Sequence, residues 1–76
     1  MRSQEIVIEF TGPAGIERES ELVAALLEVP GVDAVRINRY EGRAIVTGDP
    51  ALAAPAALCE AIAHAGCEPG EVWFAE

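Results

Sequence analysis

The chain has no lysine, and its five basic residues are all arginines. Thirteen acidic residues give it a formal net charge of −8. An excess of negative charge repels nucleic acid and anionic lipid surfaces, and it attracts basic protein surfaces. The composition therefore predicts no nucleic-acid partner. It leaves open whether the charge serves a basic partner or solubility alone.

Long apolar runs are also missing, and the chain has one histidine. A membrane-spanning helix needs about 20 consecutive apolar residues. Near the N-terminus, Glu5 and Glu9 interrupt the apolar residues that a signal segment would require. We therefore expect no membrane insertion and a cytoplasmic location. One histidine supports little acid–base chemistry, so we expect no enzyme activity.

Cysteine is scarce, with one at Cys59 and one at Cys67. Two cysteines do not form a disulfide framework, so we expect free thiols in a reducing compartment. The position of Cys59 between Leu58 and Ile62 is typical of a small side chain at the edge of a core.

The apolar residues, 51% of the chain, are sufficient for one compact core. We therefore expect a single domain over residues 1–76. The periodicity predicts strands at 6–10, 32–37, 43–47 and 72–74, and helices at 16–28 and within 51–65. Asp49 and Pro50 could open the second helix, but Pro55 indicates a late start near residue 54. This order predicts an α+β ferredoxin-like βαββαβ sandwich, with both helices on one face of a four-stranded antiparallel sheet.

Four segments of the chain match one family in register. They are Leu22–Val32, Val35–Asn38, Ala44–Pro50 and Leu58–Gly66. Together they resemble the heavy-metal-associated domains of copper chaperones and metal-pumping ATPases. The resemblance implies the same ferredoxin-like fold. It also implies a Gly-Met-x-Cys-x-x-Cys loop whose two thiolates hold Cu(I) and pass it to a partner.

The loop of this chain departs from that motif. It reads Gly12-Pro13-Ala14-Gly15-Ile16-Glu17-Arg18. By the resemblance, Gly15 stands at the first thiolate position and Arg18 at the second. Glycine has no side chain, and arginine is a permanent cation where the family has an anionic ligand. Two interpretations of function follow.

The first interpretation is an unconventional metal site for a copper or zinc ion. By the resemblance, Cys67 occupies the position of a family tyrosine close to the loop. His64 lies three residues before it, a spacing at which side chains can meet, and Glu17 could supply a carboxylate. The partner implied is a metal-transporting ATPase. The alternatives are a thiol that only fills the tyrosine's space and a solvated histidine at a helix C-terminus.

The second interpretation is a metal-free protein–protein interaction module on the same scaffold. Its binding residues would lie in the loop, at Gly12, Pro13, Gly15 and Arg18, or on the outer sheet face, at Arg36 and Arg43. Arginine and tryptophan are common interface anchors, and the side of the sheet on which Trp73 lies is left open. The alternative is an ordinary solvated face. We expect a monomer or a weak dimer formed through an edge strand.

Overall fold

The computed structural model describes residues 4–11, 19–49 and 51–75. In chain order the elements are β1 (Gln4–Thr11), α1 (Glu19–Leu27), β2 (Val32–Asn38), β3 (Arg43–Gly48), α2 (Pro55–His64) and β4 (Glu68–Ala75). The strands form one antiparallel sheet in the order β2-β3-β1-β4. The two helices contact each other, with α1 packed on β2 and α2 on β4. The predicted ferredoxin-like α+β fold is confirmed.

The core lies between the helices and one face of the sheet. Alternation in the central strand β1 places Ile6, Ile8 and Phe10 on this face. Ile6 and Ile8 pair with Val46 and Ala44 of β3, which are buried on the same face. Burial of these side chains removes apolar surface from water, which is the main force that holds so small a domain together.

The first helix presents one apolar stripe to this core. Leu22 and Leu26, four residues apart, are fully buried, whereas the neighbouring Leu27 is 46% exposed. This spacing is that of one face of an α-helix. The first residues of the predicted helix, 16–18, lie outside the described residues.

The second helix begins at Pro55, which confirms the predicted late start near residue 54. Ala54 before it is extended, with φ −69° and ψ 141°, because a residue preceding proline avoids the helical region. Asp49, the alternative start of this helix, does not open it, because the residue at the N-cap is Ala54. Its carboxylate instead accepts a hydrogen bond from the N–H of Ala51 at 3.0 Å, within a turn that precedes the helix. Pro50 lies outside the described residues.

A Schellman motif ends α2 and sets the position of Cys67. Gly66 adopts φ +93°, a conformation that favours glycine. Its N–H donates to the Ala63 carbonyl at 3.0 Å, and the Cys67 N–H donates to the Ile62 carbonyl at 3.2 Å. The chain therefore turns back under the helix, which directs residue 67 toward the core.

The last strand is longer than the predicted residues 72–74. It begins at Glu68, because Glu68 and Pro69 pair with Thr11 and Phe10 of β1. Proline is tolerated in an edge strand, where one side of the backbone makes no ladder. The pairing also places Trp73 opposite Val7, on the outer face of the sheet. Among the described helices, none is long and apolar enough to cross a bilayer.

Candidate functional site

The topology brings three connections to one end of the domain. β1 ends there at Thr11, which pairs with Glu68 just after α2. The β2–β3 turn lies at the same end, because the N–H of Phe10 in β1 donates a hydrogen bond to the Gly42 carbonyl in this turn at 2.8 Å. Residues 12–18 connect Thr11 to α1 from this end. The predicted site residues in that loop, Gly12, Pro13, Gly15, Glu17 and Arg18, lie outside the described residues.

Cys67, the first candidate metal ligand, lies next to this junction but points into the protein. Its side chain is 5% exposed and belongs to the core cluster that includes Ile62. Burial raises the pKa of the Cys67 thiol. The thiolate, not the thiol, is the metal ligand and the nucleophile. The surroundings of Cys67 therefore favour the uncharged form that binds metal poorly.

His64, the second candidate, has different surroundings. It is exposed and lines a depression of about 340 Å³ between the two helices, together with Glu28 and Glu60. Cys67 does not line this depression. Cys59 is half-buried within α2, and both cysteines are free thiols. Within residues 4–11, 19–49 and 51–75, no three His, Cys, Asp or Glu side chains form a group suited to holding a metal ion.

The burial of Cys67 predicts slow alkylation. In a Cys59→Ser variant, we expect Cys67 to react with iodoacetamide at pH 7.5 at least about tenfold more slowly than Cys59 does in a Cys67→Ser variant. Mass spectrometry of quenched samples measures both rates, and unfolding in urea should make them equal. Equal rates in the folded proteins would contradict the buried position.

The same pKa shift has a consequence for stability. The folded state holds the Cys67 proton more tightly than the unfolded state does. The contribution of this thiol to the free energy of unfolding is therefore fully present below the unfolded thiol pKa of about 8.5. It falls as the pH rises from there through the raised pKa of the folded state.

The outer face of the sheet carries a second, smaller cluster. One row runs across all four strands, through Arg36, Ile45, Val7 and Trp73. The guanidinium carbon of Arg43 lies 5.3 Å from the centre of the Trp73 ring, within the range of a cation–π contact. Val7 is only 8% exposed although it lies on this face.

Arg43 is held in place by carboxylates as well as by the ring. It forms ion pairs with Glu41 at 2.9 Å and with Glu9 at 3.8 Å. A partner that recruits Arg43 must therefore displace contacts that this side chain already makes.

Arg36 and Arg39 are held more loosely. Arg36 pairs with Glu5 at 3.3 Å while its side chain remains 71% exposed. Arg39 lies 3.8 Å from Glu19, with its side chain 54% exposed. Exposed pairs of this kind contribute about 0–1 kcal/mol, since water competes for both charges.

These loosely held arginines lie at an open depression of about 460 Å³ beside β2. Its lining comprises Glu19, Arg36, Ile37, Asn38, Arg39, Tyr40 and Ile45. Tyr40 is 96% exposed. Arg39 and Tyr40, which lie between β2 and β3, are not among the site residues predicted from the sequence. The sequence signal for this site was an arginine followed directly by a tyrosine in a turn, since both residues are frequent interface anchors.

Several solved structures are similar to the chain over nearly its whole length. A copper binding domain from HMA7, a P-type ATPase, is 27% identical with a TM-score of 0.76, covering 96% of this chain and 95% of that one. The N-terminal domain of PacS from Synechocystis PCC6803 is 26% identical with a TM-score of 0.75, covering 92% and 97%. Oxidized MerP from Ralstonia metallidurans CH34 is 25% identical with a TM-score of 0.79, covering 91% and 96%. No family model and no curated protein matches the sequence.

Proposed function

We propose that this domain, which is heavy-metal-associated-like and of the copper-chaperone type, docks onto a protein partner without carrying a thiolate-bound ion itself. The partner implied by its solved neighbours is a metal-transporting ATPase or another metal-handling protein. The observation that carries the proposal is the position of Cys67, whose thiol is buried in the core with a raised pKa. The role is one of binding rather than catalysis, in the cytoplasm.

The thiols of this chain are poorly arranged for the chemistry of the family. Both positions of the family's loop motif lack sulfur, because they hold Gly15 and Arg18. Cys59 lies inside α2, whereas Cys67 lies beyond its end and faces the core. Selectivity for soft ions such as Cu(I) comes from thiolates, so this chain loses the main source of that affinity.

The surface offers features suited to recognition. Tyr40 is almost fully exposed, and the ion pairs that Arg36 and Arg39 form with described residues are exposed. Tyrosine and arginine contribute strongly at interfaces because each combines apolar area with hydrogen-bond donors. These three residues lie at or next to the end of the domain from which residues 12–18 depart.

A metal titration tests the first half of the proposal. We expect the reduced domain to retain neither Cu(I) nor Zn(II) when a competing chelator is present, as measured by native mass spectrometry. The control is the N-terminal domain of PacS, titrated identically. One ion per domain that survives the competition would contradict the proposal.

An NMR titration tests the second half. The ¹⁵N-labelled domain is titrated with the soluble N-terminal domain of a metal-transporting ATPase from the same organism, with both proteins free of metal. We expect residue-specific amide shifts that saturate. Shifts that appear only after metal is added would contradict metal-free docking, as would the absence of shifts at millimolar concentration.

A second candidate function is a weak metal site formed by Cys67, His64 and Glu17. It is supported by the pairing of Thr11, the last residue of β1, with Glu68. Cys67 directly precedes Glu68 and is therefore close to the strand end that leads into the loop. If this site exists, Cys67→Ser should abolish metal uptake and Cys59→Ser should not. Equal losses in the two variants would count against this ligand set.

A further inference from the structure

We infer that the edge of β2 at residues 34–38 binds an extended acidic segment of a partner protein, which adds a strand to the sheet and places its carboxylates at Arg36 and Arg39. This inference rests on the docking function proposed above and specifies the chemistry of the partner. Three observations carry it: the place of residues 34–38 at the edge of the described sheet, the local charge and the exchangeable ion pairs.

The first observation is the position of β2 at the end of the sheet. Among the described strands it pairs only with β3, and none of its 7 residues is buried. An edge strand offers backbone N–H and C=O groups to which an extended segment can hydrogen-bond. The ladder with β3 is irregular between Val32 and Ala34 and regular from Ala34 to Asn38. We therefore place the added strand along residues 34–38.

The opposite edge of the sheet does not suit the same partner. β4 begins with Glu68 and Pro69, and Glu71 follows. Proline removes a backbone donor, and the two exposed carboxylates repel an acidic segment. β2 carries one exposed carboxylate, Asp33, which lies outside residues 34–38. Of the two edges, β2 thus repels a negatively charged strand less.

The second observation is the local charge. Among the described residues, the arginines are Arg36, Arg39 and Arg43, all in or next to the β2–β3 turn. The depression beside β2 is lined by two guanidinium groups and one carboxylate, in a chain with a net charge of −8. Glu5 pairs with Arg36 and adds a second carboxylate beside the depression, so this place is locally neutral where most of the molecule is negative. An acidic segment is therefore repelled least here, which directs it to β2.

The third observation is that these arginines can change partners. Arg36 with Glu5 and Arg39 with Glu19 form exposed pairs longer than a tight charge-assisted hydrogen bond. A partner carboxylate can replace Glu5 or Glu19 with little loss. Arg43 differs, because Trp73 and two glutamates engage it on the outer face.

The side chains between the arginines suit the alternate residues of an added strand. Ile45 and Ile37 line the depression from opposite faces of the strands, and Tyr40 projects from the turn. In strand addition, main-chain hydrogen bonds supply affinity, and side-chain pockets on alternate positions supply specificity. An apolar residue alternating with an acid fits this lining.

The test uses a peptide as long as β2, with 7 residues that alternate valine and glutamate. It is titrated into the ¹⁵N-labelled domain at low salt, and amide shifts are followed by NMR. We expect saturable shifts in residues 34–40 and none in β4, with weaker binding as salt increases. A peptide with lysine in place of glutamate should not bind. A valine–glutamate peptide N-methylated along one edge should also fail, because it cannot complete the ladder.

Matched variants separate the local effect from net charge. Removing both arginines, with Arg36→Ala and Arg39→Ala, should weaken peptide binding at least about tenfold. Adding two acids on the exposed face of α2, with Ala56→Glu and Ala63→Glu, changes the net charge by the same amount. This variant should weaken peptide binding less than about twofold. Amide spectra of both variants report whether the fold is retained.

Each contrary outcome has a defined meaning. Equal losses in the two variants, or shifts that map outside β2, would overturn the inference. Shifts in residues 34–38 that depend on the domain's own concentration would assign the edge to a second copy of this chain instead. If the ATPase domain binds but the acidic peptide does not, the docking function stands and the β2 site falls. If neither binds, both fall.

Discussion

Cysteine substitutions at Gly15 and Arg18 are expected to raise the Cu(I) affinity of the domain at least about a thousandfold, which corresponds to roughly 4 kcal/mol. By resemblance to the heavy-metal-associated family, these positions hold the two thiolates. Soft thiolate ligands select Cu(I), and the substitution of Arg18 also removes a permanent positive charge from the loop. Competition with a chromogenic Cu(I) chelator measures the affinity of the parent and of the variant.

Serine provides the matched control for this experiment. A Gly15→Ser and Arg18→Ser variant changes the same positions and removes the same charge but supplies no thiolate, so it should bind no better than the parent. Repeating the cysteine substitutions together with Cys67→Ser tests whether the buried thiol contributes. If the cysteine variant is folded and still fails to bind, the loop does not occupy the position that the family resemblance implies.

Truncation of Leu26 to alanine is expected to destabilise the domain by about 3 kcal/mol, whereas the same truncation of Leu27 should cost less than about 1 kcal/mol. Leu26 is fully buried in the core, and the adjacent Leu27 is 46% exposed. The larger loss combines lost apolar burial with the cavity left behind. A domain of this size has a total stability of about 4–11 kcal/mol, so the loss is a large part of it.

The two leucines control for each other, because they are neighbours in α1 and undergo the same chemical change. Urea unfolding followed by circular dichroism gives both free energies of unfolding. Similar values for Leu26→Ala and Leu27→Ala would contradict the orientation of α1 on the sheet. A change in the urea dependence itself would indicate that the unfolded or folded state had changed its exposed surface.

The architecture could be predicted because its signals are local. Alternation in β1 and three-and-four spacing in α1 indicate which residues face a core, whatever that core consists of. The late start of α2 at Pro55 was predictable for the same reason. The role of Asp49 could not be predicted, because a helix cap and a turn use the same short-range hydrogen bond. The two differ only in the backbone conformation of the residues that follow.

The site was less predictable. Spacing alone made His64 and Cys67 a plausible pair, yet a Schellman motif at Gly66 turns Cys67 into the core while His64 remains exposed. The prediction that Arg36 and Arg43 lie on the outer face of the sheet carried no information about their carboxylate partners. Arg36 pairs with Glu5, a residue 31 positions away in sequence.

Residue identities and local patterns account for the order of elements, the excess of negative charge and the absence of cysteine at Gly15 and Arg18. Each of these depends on residue identity or on a pattern within one segment. The burial of the Cys67 thiol, the contact of Arg43 with Trp73 and the position of β2 at the sheet edge could be known only from the folded structure. Each of these depends on strand pairing and helix packing between residues far apart in the chain, and such pairing is settled only when the whole core closes.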